Sequence, residues 1–436
     1  MLNIILAFYA LFFTILAWKN FRWSVGWLIL TLPAYLLRFQ IGPIPITLLE
    51  INFLIIFLVW VVKNKKSDWQ ILGNFIKNNK IFFIFLSLLI LSATISVFIG
   101  NDTYKDSFAA LKRGAGIWKA FFIEPILLFF ILLTRIKEKS VDSPSLTSNF
   151  LFNSLALSTI SISLVAIGQQ FFSCLFPPQL WNDNFFGRST SFFSSPNAIG
   201  LFLAPIIILI IAKLWQKNQN KKENVFYIIT LLLGIVAIAV SFSDGAFVAL
   251  ATGLIIFIWL IGFKKSAVLA VLIGIILIAF TPRLQSAVLF QDKAGQNRLA
   301  LWSYTEKFLT ASPNNFIFGA GLRKFFHSVQ TPFYNPQTLE RLNYPHNIFL
   351  NFWTEIGLFG MIGFMGIFIL SIWQAWKIKK INLILGTGFI SALSVIFIHG
   401  LVDVPYFKND LTILFWLILI LIFTFKSKND SVHPLA

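Results

Sequence analysis

The chain is a succession of apolar runs, near residues 2–18, 23–37, 44–62, 81–99, 114–133, 152–176, 198–215, 225–242, 245–262, 266–281, 347–374, 382–399 and 411–425. A helix needs about 20 apolar residues to cross the hydrocarbon of a bilayer, and in lipid it satisfies its own backbone hydrogen bonds. The runs predict an all-α polytopic membrane protein with 12–13 transmembrane helices. With 57% hydrophobic and 12% charged residues among 436, the apolar surface exceeds what a soluble core can hide. No segment between runs is long enough for an independent soluble domain. The N-terminus lacks a basic n-region and a small-residue cleavage site, so it is expected to be the first span. A lone cysteine, Cys174, excludes an intramolecular disulfide and a thiolate metal cluster.

Lysine sets the orientation, because short cytoplasmic loops collect positive charge. The segments 19–22, 63–80, 134–140, 216–224, 263–265, 377–380 and 426–430 are lysine-rich and fall on one side if the spans alternate. That side is expected to be cytoplasmic, with the C-terminus. The opposite face receives 100–113, 177–197, 241–245, 282–346 and 403–410. Seven of the nine arginines, Arg38, Arg113, Arg188, Arg283, Arg298, Arg323 and Arg341, lie there against the positive-inside trend. The arginine fork pairs bidentately with phosphate, so the outer face is expected to bind an anion. Interfacial contact with anionic membrane lipids is the alternative for any one of them, and accounts less well for all seven together.

Three outer segments carry candidate chemistry. In "FGRSTSFFSSPNAIG" (186–200), Arg188 precedes a hydroxyl-rich run, and Asn197 opens a helix whose free N–H groups favour anions. A plain capped helix entry explains it equally well. In "QNRLALWSYTEKFLTASPNNFIFGAGLRKFF" (296–326), Leu299, Trp302 and Phe308 predict a short amphipathic helix on the outer surface, holding Arg298 over the mouth. Gly319 and Gly321 form a tight turn there, followed by Arg323. In "YPHNIFLNFWTEIGLFG" (344–360), His346 can exchange a proton near neutral pH, beside Asn347 at a helix mouth. Glu355 is expected to hold helices together, as are Glu50 and Glu124. The sequence "KAFFIEP" can bring Lys119 and Glu124 near Arg113. His399 and Asp403, in "HGLVD", can steady His346 or contact sugar. His327 is expected in an interfacial loop and His433 in the cytoplasmic tail.

These segments, with "NRLALW", "FIFGAGLRKF" and "HGLVD", stand in the order seen in the O-antigen ligase and O-antigen polymerase superfamily of envelope glycan enzymes, which the chain resembles over about residues 185–405. The resemblance implies a GT-C-like, metal-independent, inverting glycosyltransferase at the outer leaflet of the bacterial plasma membrane. It implies no cofactor, an undecaprenyl-diphosphate-linked glycan as donor, and a glycan, a lipid A core or another hydroxyl as acceptor, with an envelope glycan export complex as a further partner. Arg188 and Arg298 match the arginines that hold the diphosphate, and His346 matches the base, so these three are the expected catalytic residues. Asn197, Trp302, Arg323, Asn347, Asp244, Arg113 and Asp403 complete the expected substrate-binding set. One departure stands out: "SFSDGAF" places Asp244 where relatives commonly carry Arg. Asp244 is expected either to pair with another arginine or to help activate the acceptor.

The expected organisation is 1–180 as N-terminal spans, 181–410 as the ligase/polymerase-like core with the outer loop 282–346, and 411–436 as last span and tail. A transporter or flippase for an anionic lipid-linked glycan would use the same arginines without needing His346. A noncatalytic scaffold would need neither. No P-loop and no metal-ligand spacing occur in the sequence, and the lysines read as topology, so nucleic-acid binding has no independent support.

Overall fold

The structure, a computed structural model, describes residues 2–41, 44–100, 107–136, 146–172, 187–216, 220–337 and 340–425. Cys174, His433 and the tail 426–436 lie outside the described residues. The fold is all-α and polytopic. Helices α1 (Leu2–Lys19) and α2 (Phe21–Leu30) lead into a 3₁₀ turn and a two-stranded hairpin, β1 (Arg38–Ile41) and β2 (Ile44–Thr47). Then follow α3 (Leu48–Lys63), α4 (Lys66–Asn78), α5 (Lys80–Phe98), α6 (Ser107–Trp118), a π-helical turn (Lys119–Ile123), α7 (Glu124–Arg135) and α8 (Ser148–Phe171). The second half holds α9 (Asn197–Leu214), α10 (Lys221–Ser241), α11 (Asp244–Leu260), α12 (Lys264–Phe280), α13 (Pro282–Val288), α14 (Lys293–Thr310) and α15 (Pro313–Phe318). It closes with α16 (Ile348–Ile381), α17 (Leu383–Gly400) and α18 (Asn409–Phe423).

Among the described residues, seven helices are long and apolar enough to cross a membrane, and an eighth candidate is α12 taken with the stretch 282–310, which bends away from it by 103°. The other expected spans are shorter helices. The run 23–37 is not one continuous span: Pro33 interrupts it, leaving the ten residues of α2 followed by the 3₁₀ turn Leu32–Leu36. By helical rise that composite path covers about 25 Å, close to the length of α3 beside it. Its far end meets the start of α3 through the bond from Leu48 N–H to Leu37 O (3.0 Å), and at the other end of α3 the Lys63 ammonium rests on Trp18 O of α1.

The charged helix ends gather at one end of the bundle. Lys19, Lys63, Arg135, Lys221, Lys222, Lys264, Lys265, Lys379 and Lys380 cap or open their helices there. The far ends of the same helices carry the loops that hold His346, Arg188 and Arg298. Helix α9 packs among α10, α11 and α17, and α16 lies along α5 and α17. Small residues permit the approach: a Cβ on Gly200 of α9 would stand 2.2 Å from the Ala246 Cβ of α11. In the N-terminal half, Lys119 in the π-helical turn sets one cation beside two buried carboxylates, Glu50 at 2.9 Å and Glu124 at 3.5 Å.

The run 347–374 is not a single straight span either. Gly357, at φ 74° and ψ 176°, breaks α16 into 348–356 and 358–381. The second piece, about 36 Å long by helical rise, is itself enough to cross the hydrocarbon. His346 and Glu355 therefore belong to a short segment before the span. The loop 319–325 clamps that segment: Ala320 N–H bonds Thr354 O (2.7 Å), and Arg323 N–H bonds a Glu355 carboxylate oxygen (2.7 Å). Leu322 N–H reaches Ser96 O (3.2 Å), and the buried Lys324 ammonium caps the last carbonyls of α5, Val97 O and Ile99 O. Gly319 and Gly321 thus lie against helix backbone.

Gly357 occupies a region that only glycine visits freely, and a Cβ would meet Ile317 O at 2.4 Å. Gly357→Ala is expected to destabilise the protein by about 1–3 kcal/mol. Gly274→Ala, on α12 with nothing within 4 Å, should leave stability unchanged, and thermal unfolding in detergent compares the two.

Candidate functional site

The site forms where four chain segments meet at the end of the bundle opposite the lysines. The first is 187–196, between α8 and α9. Its hydroxyl run is stitched into the core: Gln169 of α8 accepts from Thr190 N–H (3.1 Å) and Ser191 N–H (2.7 Å), and Ser191 Oγ donates to Ile162 O (2.7 Å). Those hydroxyls anchor the loop. What the loop presents is Arg188, half-buried, with Nε on Ser241 O (2.9 Å) and Nη2 on Asn197 Oδ1 (2.8 Å).

The second segment is α14. Leu301, Thr305 and Leu309 are buried, and Leu301 clusters with Ala320, Phe325 and Val329, against which Tyr304 and Phe308 also pack. Of the expected face of Leu299, Trp302 and Phe308, Phe308 packs against this cluster while Leu299 is exposed. The helix packs on the following loop, a partner its own sequence pattern does not reveal. Arg298 is nonetheless delivered to the site: its Nε donates to Val402 O at 2.7 Å. Its terminal nitrogens have no hydrogen-bond partner among the described residues.

The third segment, 344–347, holds His346 in a left-handed conformation (φ 52°), unusual for a residue with a side chain. Both neighbours are tethered. Trp302 Nε1 donates to Pro345 O (2.9 Å), and Asn347 Nδ2 donates to Leu401 O (3.2 Å). Asn347 Oδ1 also caps α16 by accepting from Phe349 and Leu350 N–H, so its amide is fully engaged in structure.

The fourth is 401–404, after α17. Asp403 Oδ1 lies 3.2 Å from His346 Nδ1 and accepts from Val404 N–H at 2.8 Å, while Oδ2 accepts from Asn197 Nδ2 at 3.0 Å. A carboxylate only accepts, so the proton of a neutral His346 sits on Nδ1 and the lone pair on Nε2. Burial pushes Asp403 upward, but the hydrogen bond and charge of His346, with His399 and Lys408, more than reverse this and hold the carboxyl well below its usual range. Burial likewise lowers Arg188, opposed by Asp244 and Asp403 and reinforced by Arg283, and an arginine stays charged under such shifts.

The structure thus brings together His346, Arg188, Asn197 and Asp403 in one hydrogen-bonded series, with Arg298, Trp302 and Asn347 bonded to the backbone around it. Asp244, at the start of α11, pairs with Arg283 of α13 at 3.4 Å on the rim, the first of the two expected alternatives. Arg283 is one of the seven outer arginines but not of the expected catalytic or substrate-binding set, and nothing in its position 39 residues downstream singles it out as the partner of Asp244. Arg323 stands apart, over the Tyr344 ring at 5.9 Å. Arg113 lies elsewhere, where it joins Arg341 in pushing His327 below its ordinary value, after the larger effect of burial. His399 is buried beneath the site against Gly200 and Gly245. Among the described residues, no three His, Cys, Asp or Glu side chains gather to hold a metal ion.

Residues 229–365 match the family model described as O-antigen ligase. The match includes Asp244, Arg283, Arg298, Trp302, Arg323, His346 and Asn347 and stops short of Arg188, Asn197 and Asp403. No curated protein matches the chain.

A carboxyl depressed in the folded state adds stability that is fully present above its unfolded pKa, about 4, and is lost as pH falls below it. The stability advantage of the native protein over Asp403→Asn is therefore expected to hold from pH 7 to pH 5 and to shrink below about pH 4. Unfolding in detergent across that range checks it.

Proposed function

From membership in the O-antigen ligase and O-antigen polymerase superfamily, we propose that this multi-pass membrane protein transfers a glycan from an undecaprenyl diphosphate carrier to a hydroxyl acceptor at the outer face of the bacterial plasma membrane. The observation that carries the proposal is the bonding of His346 to Asp403 beside Arg188 and Arg298, at the end of the bundle away from the lysines. Positive charge marks the cytoplasmic side, so the His346 end faces outward and the C-terminal tail inward.

Each residue has a task in such a transfer. The acceptor oxygen attacks the anomeric carbon, and the bond from that carbon to the diphosphate oxygen breaks. A single displacement of this kind inverts the anomeric centre. The acceptor proton passes to His346 Nε2, with Asp403 orienting the ring and stabilising the imidazolium. Arg188 and Arg298 bind the diphosphate and stabilise the charge that grows on it as it leaves, in a partly dry setting where such charge stabilisation is large. With two guanidiniums in that role, the scheme is metal-independent. Trp302 and Asn347 fix the backbone on either side of His346. The acceptor is a second lipid-linked glycan in a polymerase, and a lipid A core or other hydroxyl in a ligase.

The test is transfer in reconstituted membranes with a lipid diphosphate oligosaccharide as donor. Arg188→Ala and Arg298→Ala are expected to weaken donor binding by roughly tenfold or more. His346→Ala should bind donor and lose about 10²- to 10⁴-fold in transfer. Chelator should have no effect. Full transfer by His346→Ala would overturn the base assignment, and movement of donor across the bilayer without transfer would establish a transporter instead.

A further inference from the structure

Asn197 is placed between the two halves of the proposed chemistry. Its Oδ1 accepts from Arg188 Nη2 at 2.8 Å and its Nδ2 donates to Asp403 Oδ2 at 3.0 Å, while Asp403 Oδ1 meets His346 Nδ1 at 3.2 Å. The series runs in one sense, from guanidinium N–H through the amide to the carboxylate. Only a side chain with an acceptor and a donor on one planar group can sit there. Both polar atoms of Asn197 are thereby engaged, which leaves it poorly disposed to hold substrate.

We propose that Asn197 is a positioning residue that couples occupancy of Arg188 by a phosphate to the readiness of His346 as a base. The inference rests on the glycosyl-transfer function proposed above. With Arg188 vacant, its full charge polarises the amide, which then donates strongly to Asp403 and competes with the imidazole for the carboxylate. A phosphate on the outer N–H groups of Arg188 offsets that charge. The amide relaxes, and Asp403 turns its acceptor strength to His346. Base strength is thus raised when donor is bound. The charged and titratable groups facing this series are Asp244 and Arg283 toward Arg188, and His399 and Lys408 toward Asp403, with Arg298 toward His399.

Two measurements test the coupling. Asn197→Asp still accepts from Arg188 but sets a carboxylate against Asp403. Its donor KM is expected to stay within about threefold of native while kcat falls about tenfold or more. In an Arg188→Ala background the same change should add less than about threefold, since the coupled groups act as a unit. Unchanged kcat in Asn197→Asp, or full additivity of the two substitutions, would overturn the proposal. The second measurement needs no turnover: histidine NMR of the detergent-solubilised protein, with the His346 signal assigned by His346→Ala. Saturating inorganic pyrophosphate should raise the midpoint of His346 titration in the native chain and raise it by clearly less in Asn197→Ser, where only the direct field of the anion remains. An equal rise in both proteins, or none in the native chain, would overturn the coupling. Failure of the glycosyl-transfer function itself would appear separately, as movement of the donor across the bilayer by the native protein with no transfer to an acceptor.

Discussion

One buried carboxylate ties the functional end of the molecule together. Asp403 accepts from His346, from Asn197 and from the amide of Val404, and those donors belong to three separate parts of the chain. A charge taken out of water is costly unless hydrogen bonds replace the lost solvation. Here both oxygens are used, so the cost is offset only when α9, the 344–347 segment and the end of α17 stand in register. The same carboxylate that orients the imidazole therefore also reports whether three helix ends are assembled.

The helical runs were legible because hydrocarbon leaves a chain few options, and the lysine-rich ends were legible because charge and apolar runs alternate in the sequence itself. Pro33 and Gly357 were visible as residues, but what they do was not. Pro33 splits a run whose average composition still reads as one span. Gly357 breaks α16 where the end of α15, Ile317 and Phe318, lies close against it from about forty residues earlier in the chain. The face of α14 was legible only in part for the same reason: Leu301 packs with Ala320, Phe325 and Val329 from the following loop, with Phe308 against them and Leu299 exposed.

Arg188, Arg298 and His346 were legible through their company in the sequence, while the bonds that organise them were not. Asn197 and Asp403 are 206 positions apart and Arg298 and Val402 are 104 apart, separations at which no periodicity carries information. Asn347 and Trp302 look like ligand-binding residues in sequence because an amide and an indole at a helix mouth suit a sugar. In three dimensions both are engaged by backbone carbonyls. Arg323 and Arg113 lie on the same end of the molecule and contribute charge there, but the fold directs them toward Tyr344 and His327.

The left-handed backbone of His346 follows from the same demand for register. A residue with a Cβ gives up about 1–2 kcal/mol to adopt that conformation, so it persists only where its surroundings over-determine it. Trp302 holds the carbonyl before it and Asn347 holds the helix after it, so the imidazole reaches Asp403 through a turn that neither neighbour can relax alone. Because the tether on Trp302 comes from the helix that also carries Arg298, the cation and the imidazole share a support. Movement of α14 would displace both at once, which keeps the guanidinium and the imidazole at a fixed separation.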